Sequence, residues 1–277
     1  MKKVLITGNS GYIGSHLTKM LETDYEVYGL DFRAPQHPVK NHYHIDIRKQ
    51  FAVEEEFDAV IHLAALVNVG ESEQMPLTYY ITNLNGTMNV INKIKTKNFI
   101  FASTGAAEQC ISAYGVSKRA AEDVVREFYT QHKPTPYTIF RFYNVIGSDG
   151  FKPTNPDGLM YNLLKARETK EGFTIFGNDY NTSDGTCVRD YVHVNEICDA
   201  LRTAIEQSSN QIECLGHGVG HTVGEIVKLF REVNNIPNIE MLTKIGPRRK
   251  GDIETSVLDN VSPYMKNLYT MEELLKV

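Results

Sequence analysis

A tyrosine and a lysine four residues apart, Tyr114 and Lys118, could together perform acid–base chemistry. In a helix this spacing places the phenol and the ammonium group on one face. A lysine cation beside the phenol favours the phenolate, and so lowers a pKa that starts at about 10. We therefore expect Tyr114 to act as a base near neutral pH, with Lys118 as its electrostatic partner. The pair by itself is a weak signal, because exposed helices often carry both residue types.

A glycine-rich turn near the start of the chain indicates a site for a dinucleotide. Gly8, Gly11 and Gly14 follow the apolar run at residues 4–7 and open an amphipathic segment. The first glycine permits a tight turn, the second lets the backbone approach a pyrophosphate, and the third allows a helix to pack closely on a strand. The free N–H groups of a helix start then attract phosphate.

Asp31 ends the second apolar run, near the distance from the glycines at which an acid binds the adenosine ribose. A carboxylate there repels a 2′-phosphate, so NAD is favoured over NADP. Arg33 is close enough to weaken this preference. A turn or cap role for Asp31 is the alternative, and the glycines favour the cofactor role.

Short apolar runs alternate with helical patterns through the first half of the chain. The apolar runs begin at Val4, Glu26, Ala59, Asn98 and Tyr137, and the helical patterns cover residues 14–23, 76–95 and 113–131. This order predicts an α/β fold with a doubly wound parallel Rossmann sheet. After residue 147 the chain becomes rich in Gly, Pro, Asn and Asp, and helical patterns follow at 196–207 and 222–234. We therefore expect a smaller mixed α/β C-terminal substrate domain.

The predicted domains are a Rossmann domain over 1–145, to which residues 185–210 return, and a substrate domain over 146–184 and 211–277. A net charge of −5 argues against a nucleic-acid partner, which needs a basic face. No apolar run reaches membrane-spanning length, and the four cysteines lack the spacing of a zinc site. We expect no membrane partner, no metal and a cytoplasmic location.

The glycine spacing and the tyrosine–lysine pair resemble the extended short-chain dehydrogenase/reductase superfamily. The resemblance implies a triad in which Thr104 holds the substrate oxygen, Tyr114 moves its proton and Lys118 also binds the nicotinamide ribose. Ser103 is the alternative hydroxyl, and Thr104 aligns better. The other function class considered is a non-catalytic dinucleotide-binding regulator, which the intact Tyr114 and Lys118 make the least favoured.

The same resemblance implies a set of cofactor-binding residues. Asp46 and Ile47 resemble the adenine contact, with a turn cap as the alternative for Asp46. The strand end after His62 resembles the segment beside the cofactor, although His62 itself is more often a core histidine. The implied NAD-binding residues are Gly8, Gly11, Tyr12, Ile13, Gly14, Asp31, Phe32, Asp46, Ile47, Leu63, Ala64, Ala65, Tyr114, Lys118 and Tyr143.

Three further motifs resemble the UDP-glucose (UDP-galactose) 4-epimerase family over nearly the whole chain. They are RFYN from Arg141, IFGNDYNTSDGTCVRDYVHV from Ile175, and PRRKGD from Pro247. Arginines suit diphosphate oxygens because they are always charged and donate from a planar fork. The substrate-binding residues implied by the resemblance are Thr104, Asn144, Phe176, Arg189, Arg249 and Asp252.

The resemblance implies an NAD-dependent isomerase that epimerises UDP-Glc and UDP-Gal at C4 through a transient 4-keto sugar. Ser256 is small at a position whose bulk is associated with excluding N-acetyl sugars, so UDP-GlcNAc and UDP-GalNAc are further candidates. The alternatives within the superfamily are a UDP-glucuronate epimerase, a reductase and a dehydratase. A dehydratase places acids directly after the active-site threonine, where this chain has Gly105, Ala106 and Ala107, followed by Glu108.

The chain departs from that family in several places. The segment between Thr104 and Tyr114 is shorter than usual, Gly158 stands where an Asn helps bind phosphate, and Val67 and Thr82 replace polar residues. The sequence ends inside the family's last helix, at 271–277. The helices at 76–95 and 113–131 resemble those that pair in a homodimer. Their apolar residues could instead serve the internal core: Val116, Val124, Val125 and Phe128.

Overall fold

The computed structural model describes residues 1–237, 243–249, 251–266 and 269–276. Two positions of the predicted motifs, Lys250 and Val277, lie outside the described residues. The chain forms two compact units. The first comprises Met1–Phe142 and Ile197–Glu213, and the second comprises Tyr143–Glu196 and Cys214–Val277.

The described strands, in chain order, are β1 Lys3–Thr7, β2 Glu26–Asp31, β3 Asn41–His44, β4 Glu56–Phe57, β5 Ala59–His62, β6 Lys95–Thr96, β7 Phe99–Thr104, β8 Tyr137–Phe142, β9 Asn144–Ile146, β10 Phe173–Phe176, β11 Val188–His193, β12 Ile212–Leu215, β13 Gly220–Thr222, β14 Thr243–Gly246 and β15 Thr255–Ser256.

The described α-helices are α1 Tyr12–Leu21, α2 Val69–Gln74, α3 Pro76–Tyr79, α4 Gly86–Lys93, α5 Ala106–Gln109, α6 Ala113–Glu127, α7 Leu159–Thr169, α8 Val194–Glu206, α9 Val223–Val233 and α10 Met271–Leu275. Two π-helical segments continue helices at Tyr80–Asn85 and Phe128–His132. The predicted helices at 76–95 and 113–131 therefore exist, each with one wider turn.

The first unit is built on a sheet with strand order β12-β8-β7-β5-β1-β2-β3. The pairs from β8 through β3 are parallel, with β1 between β2 and β5. Alternate residues of the strands are buried on opposite faces, which explains their continuous apolar sequences. On one face Leu5, Phe101 and Ile139 pack with Val90 of α4 and Val125 of α6. The prediction of a parallel Rossmann-type sheet is confirmed.

The second unit has a mixed arrangement around β11. Strands β9 and β15 pair with β11 in parallel, and β13 pairs with it antiparallel. Strands β10 and β14 form a separate parallel pair. A core of apolar residues joins α7, α9 and α10 to these strands through Leu163, Phe173, Tyr191, Phe230 and Leu274.

The division between the units differs from the predicted domain limits. The first unit ends at Phe142 rather than at 145, and residues 185–196 belong to the second unit. The predicted domain limits stay a prediction, and in the structure β11 pairs with strands of the second unit. The chain returns to the first unit at Ile197, within α8. In the part of the chain that the structure describes, no helix has the length and apolar character needed to span a membrane.

Candidate active site

The glycine turn between β1 and α1 is a close backbone crossing that leaves no room for side chains. Gly8 has a φ of +76°, donates its N–H to the Leu30 carbonyl at 2.8 Å and accepts from the Gly11 N–H at 3.0 Å. A Cβ at Gly14 would lie 2.2 Å from the Gly8 oxygen, and a Cβ at Gly8 would lie 2.7 Å from the Ala64 nitrogen. Both positions therefore require glycine.

Helix α1 begins directly after this turn, with Tyr12 and Ile13 as its first two residues. Gly11 is the N-cap, and no side chain within the described residues caps it. The first turn also carries no acidic residue. A helix start of this kind keeps backbone N–H groups and partial positive charge for an anion. The turn therefore fits the diphosphate of a dinucleotide.

The carboxylate of Asp31 lies against the glycine turn at the end of β2. It is 5% exposed and accepts from the Ser10 N–H at 3.3 Å and from the Arg33 N–H at 2.9 Å. Asp31 thus has the turn role considered above and also lies next to the proposed phosphate site. Phe32 is 54% exposed, with the Arg33 guanidinium 5.5 Å from its ring centre.

Asp46 caps a turn, which was the alternative to its predicted contact with adenine. Its Oδ1 accepts from the Arg48 backbone N–H at 3.0 Å, and its Oδ2 lies 2.8 Å from the Arg48 guanidinium. The hydrogen bond to the Arg48 side chain holds the pKa of Asp46 below its ordinary value. Ile47 is buried in the core of the first unit. The adenine contact of these two residues stays a prediction.

The strand end after β5 lies beside β1. The Leu63 N–H donates to the Thr7 carbonyl at 3.0 Å, and the Ala64 N–H donates to the Thr7 hydroxyl at 3.3 Å. Ala65 follows and is half-buried. His62 is a core histidine bonded to the hydroxyls of Thr7 and Thr87, at 2.6 and 3.0 Å. Burial lowers its pKa to about 3, and the charge of Lys118 adds to this effect.

Two side chains fix the start of helix α6, which carries Tyr114 and Lys118. Ser112 is the N-cap and accepts from the backbone N–H three residues later, at 3.1 Å. Glu73 of α2 accepts from the N–H of the first helical residue at 3.0 Å. A cap and a carboxylate at a helix start both stabilise it, so the helix begins one residue before Tyr114.

Tyr114 is buried and hydrogen-bonds the side chain of Thr104. Burial raises the pKa of Tyr114 to about 12, and the hydrogen bond from Thr104 offsets only part of this. Tyr79 lies edge-on to Tyr114, with 6.3 Å between the ring centroids. The hydroxyl of Tyr79 donates to Glu71 at 2.7 Å, which fixes this second ring.

Lys118 is 3% exposed, with its ammonium 4.2 Å from the centre of the Phe101 ring. Burial lowers the pKa of Lys118 to about 7, and the charge of Glu122 acts in the opposite direction. The predicted fall of the Tyr114 pKa below its ordinary value of about 10 is therefore wrong for the chain alone. Burial drives both groups towards their neutral forms and is the largest cause of each pKa shift.

The structure separates the roles of the two hydroxyls at the end of β7. The Ser103 hydroxyl is buried and donates to Glu122. The Thr104 hydroxyl accepts from the Ala106 N–H at 3.2 Å and is bonded to Tyr114. Thr104 is therefore the better candidate to hold a substrate oxygen.

In the second unit, β9 and the residue before it position two of the predicted residues. Tyr143 is half-buried, and its N–H donates to the Leu215 carbonyl at 3.0 Å. The Asn144 side chain donates to the Asp190 carbonyl at 3.2 Å. Asn144 also pairs in register with Tyr191 of β11. Asn144 is thus held by the same strand that carries Arg189.

The other predicted substrate residues of the second unit form one network. Asp252 Oδ1 accepts from Arg189 at 2.9 Å, and Asp252 Oδ2 accepts from Arg249 Nε at 2.9 Å. The Arg249 guanidinium also lies 5.1 Å from the centre of the Phe176 ring. Phe176 itself is 38% exposed. Two guanidinium groups, a carboxylate and an aromatic ring are therefore gathered at one place in this unit.

The adjacent Arg248 has different partners. Its Nε lies 2.6 Å from Asp179, and its guanidinium lies 3.9 Å from the centre of the Tyr180 ring. The two neighbouring arginines therefore belong to separate clusters, and only Arg249 shares a carboxylate with Arg189.

Two residues near Tyr114 and Lys118 were not predicted from the sequence. Asn83, in the π-helical segment, accepts from the Leu66 N–H at 2.8 Å and donates to Ser117 at 3.0 Å. Glu122 accepts from Arg141 at 2.8 Å, with both residues buried. The signal for Glu122 was its spacing of four residues from Lys118, which continues the same helix face.

Comparisons with known proteins identify the family of the chain. The profile of the NAD dependent epimerase/dehydratase family matches residues 4–214. UDP-glucose 4-epimerase 2 of Oryza sativa subsp. japonica is 34% identical over 307 aligned residues, covering 92% of this chain and 74% of that protein. This alignment is longer than the 277-residue chain, so the relative contains segments that this chain lacks.

Solved structures of similar proteins match almost all of the chain. UDP-glucose 4-epimerase from Bifidobacterium longum, in complex with NAD+ and UDP, has a TM-score of 0.85 and 25% identity, covering 99% of this chain and 96% of that one. The enzyme from Thermotoga maritima with UDP-glucose has a TM-score of 0.80 and 28% identity, with the same coverage. The chain belongs to the NAD dependent epimerase/dehydratase family and, within it, to the family of the UDP-glucose 4-epimerases.

Proposed function

We propose that this chain is an isomerase that epimerises UDP-hexoses at C4 with NAD as its cofactor. The observation that carries the proposal is the buried pair of Tyr114 and Thr104, with Lys118 one turn further along the same helix. Family membership supports the same reaction. UDP-glucose and UDP-galactose are the substrates that we propose first.

The glycine turn and its neighbours would hold NAD. Gly8 and Gly14 allow the close crossing, and the uncapped start of α1 suits the diphosphate. Asp31, which lies beside Ser10 of the turn, would accept from the adenosine ribose hydroxyls. When bound, NAD would supply the hydride chemistry at C4 of the sugar. We propose that the other residues predicted to bind NAD also contact it.

The residues of the first unit would move the proton of the sugar 4-hydroxyl. Tyr114 takes this proton as the 4-keto sugar forms and returns it when the sugar is reduced on the other face. Thr104 holds the reacting oxygen through its hydroxyl. Lys118 stabilises the phenolate and binds the nicotinamide ribose. Its pKa of about 7 lets it carry charge in part of the population near neutral pH.

The network of the second unit would hold the nucleotide. Arg189 and Arg249 would donate to the diphosphate, since guanidinium groups form paired bonds to such oxygens. Asp252, which joins these arginines, would accept from the uridine ribose hydroxyls. The Phe176 backbone would contact uracil, while Asn144 would bind phosphate and Tyr143 would contact the cofactor.

N-acetyl sugars are a second substrate class that one observation favours. Ser256 lies directly opposite Arg189 in the pairing of β15 with β11, and its side chain is small. We propose that UDP-GlcNAc and UDP-GalNAc are also interconverted. Ser256→Tyr should then reduce turnover of the acetylated pair more than that of the plain pair, and an equal effect on both would contradict this proposal.

The contacts of Glu108 argue against dehydratase activity. This residue is the nearest acid after Thr104, and its carboxylate lies 3.3 Å from the Arg141 guanidinium. The nearest acid after Thr104 is therefore already engaged by an arginine.

We also propose that two copies of the chain associate. Leu77, Ile81 and Met88 lie along the segment from α3 to α4 and are 73%, 48% and 45% exposed. Val124, Val125 and Phe128, in contrast, pack into the internal core. Sedimentation should give a dimer that Ile81→Glu weakens, and a monomer of the unmodified chain would contradict this. A cytoplasmic location is part of the same proposal.

The reaction is tested by product analysis. The purified chain is incubated separately with UDP-glucose, UDP-GlcNAc and UDP-glucuronate, and the products are resolved by NMR. We expect UDP-galactose from UDP-glucose without net change in added NADH. Turnover of UDP-glucuronate alone, or net NADH consumption with a keto sugar, would instead show another enzyme of the superfamily.

A further inference from the structure

A buried carboxylate lies one turn beyond the reacting pair on helix α6. Tyr114, Lys118 and Glu122 are spaced by four residues, so they share the helix face that packs on the sheet. Glu122 is 1% exposed. Burying a carboxylate is costly unless hydrogen bonds and opposite charge compensate it, so its partners are informative.

Glu122 joins helix α6 to two neighbouring strand ends. Its two carboxylate oxygens accept from Arg141 Nε at 3.0 Å and from Arg141 Nη2 at 2.8 Å. It also accepts from the hydroxyl of Ser103. Ser103 and Arg141 are paired in register on β7 and β8, and Thr104 follows Ser103 directly. The carboxylate therefore fixes the helix that carries the base relative to the strand that carries Thr104.

Glu122 is also the negative charge that acts on Lys118. In the described part of the chain, Lys118 lies over the uncharged ring of Phe101, acts on the pKa of the neutral His62 on the sheet, and follows Tyr114 on its own helix. Arg141, on β8, donates to Glu122. Burial lowers the pKa of Lys118, and the Glu122 carboxylate is the charged group that raises it. Without this carboxylate, Lys118 would lose the negative charge that raises its pKa.

We propose that Glu122 is a positioning residue for the reaction: its buried carboxylate keeps Lys118 charged and fixes the helix of Tyr114 against the strand of Thr104. This inference rests on the proposed function of Tyr114 and Lys118. Glu122 touches neither the substrate nor the cofactor in this account. It acts through Lys118 and through Ser103.

The first test measures Lys118 directly and uses no substrate. The protein with its NAD is labelled with [6-13C]lysine, and the Lys118 signal is identified by its loss in Lys118→Arg. We expect Glu122→Gln to lower the titration midpoint of Lys118 by about one pH unit or more, the size typical of a close opposite charge. An unchanged midpoint would overturn the proposal.

A neighbouring carboxylate offers a matched control. Asp123 follows Glu122 on α6, is half-exposed and pairs with Arg126 at 2.9 Å. Because exposed charges interact weakly, Asp123→Asn should leave the Lys118 midpoint where it is in the unmodified protein. An equal shift in both variants would contradict a specific role for Glu122.

The second test is the pH profile of turnover. A required lysine cation is lost as pH rises, so the alkaline limb of kcat should move to lower pH in Glu122→Gln, with KM for the UDP-sugar unchanged. Glu122→Asp keeps the negative charge, so its alkaline limb should lie at the same pH as in the unmodified protein. If Glu122→Gln lowers kcat but leaves the alkaline limb of its pH profile in place, Glu122 has a structural role only. If the unmodified chain does not epimerise, the proposed function fails, while the NMR titration still decides the role of Glu122.

Glu122→Gln removes the buried carboxylate that pairs with the Arg141 guanidinium and so endangers folding. If this variant does not fold, Glu122→Gln/Arg141→Met removes the pair together, which folded proteins tolerate better. The Lys118 midpoint should again fall relative to the unmodified protein, and a midpoint that stays in place would overturn the proposal.

Discussion

The two units differ in how they keep charged groups. In the first unit, Tyr114 and Lys118 are almost fully buried, and burial shifts the pKa of each towards its neutral form. In the second unit, Arg189 and Arg249 share Asp252, and arginine stays charged at any pH of interest. The groups that we propose to transfer protons are thus buried, where burial shifts their pKa values, and the groups that we propose to hold an anion are arginines, which stay charged. We therefore expect pH to act on turnover more than on substrate binding.

Tyr114→Phe should have the largest effect and would act on turnover alone. The change removes the proton-transferring hydroxyl while keeping the ring against Tyr79. We expect kcat to fall by about a thousandfold, within the range of general acid–base catalysis, with little change in KM. Initial rates with UDP-glucose measure both constants. Retention of near-normal turnover would remove Tyr114 from the mechanism.

Arg249→Met should act on binding, as the counterpart in the second unit. Losing a charge-assisted bond to the diphosphate should raise KM by about tenfold, with kcat less affected. Arg248→Met is the matched control, because Arg248 pairs with Asp179 and lies over Tyr180. Initial rates over a range of UDP-glucose concentrations give the comparison. Equal increases in KM for the two variants would contradict the separation of these arginines.

Stability should depend on pH in the first unit through Lys118. Its folded pKa of about 7 lies below its ordinary value of 10.5, so the unfolded chain binds more protons between these values. The contribution of Lys118 to stability therefore improves as pH rises through this window. In urea unfolding, Lys118→Met should be more stable than the unmodified chain at pH 7, and this advantage should shrink by pH 9. A constant difference would contradict the shifted pKa.

The second unit should show a smaller effect of opposite sign through His217. Its Nε2 lies 2.9 Å from the buried Glu196. Burial alone would lower the pKa of His217, but the hydrogen bond and charge of Glu196 raise it above 6.5. This contribution is complete below pH 6.5 and is lost as pH rises through the folded value. His217→Gln keeps a hydrogen-bond donor to Glu196 but cannot titrate. In the same urea unfolding measurements, its free energy of unfolding should fall less as pH rises than that of the unmodified chain. An equal fall in both proteins would contradict the raised pKa of His217.

The sequence predicted the parts of the molecule that depend on local patterns. The parallel strands, the glycine turn and helix α6 follow from periodicity, φ requirements and caps within a few residues. The boundary at Ile197 could not be predicted, because it depends on which strands pair with β11.

The charge interactions and pKa shifts of the candidate site could not be predicted from the sequence, for a similar reason. The pairing of Glu122 with Arg141 joins residues 19 positions apart on different elements. The pKa of Tyr114 depends on how deeply the phenol is buried, and that depth is set by the packing of helix α6 on the sheet. The pattern of Tyr114 and Lys118 gave their spacing correctly, but it carried no information about burial.

The most direct measurement follows the hydrogen at C4 of the sugar. UDP-glucose carrying deuterium at C4 is incubated with the chain in ordinary water, and the UDP-galactose is analysed by NMR and mass spectrometry. The account predicts that the deuterium stays at C4 of the product, because the hydride removed there is returned to the same carbon while Tyr114 exchanges only the hydroxyl proton. Loss of the deuterium to solvent, or its absence from C4 of the product, would contradict the account.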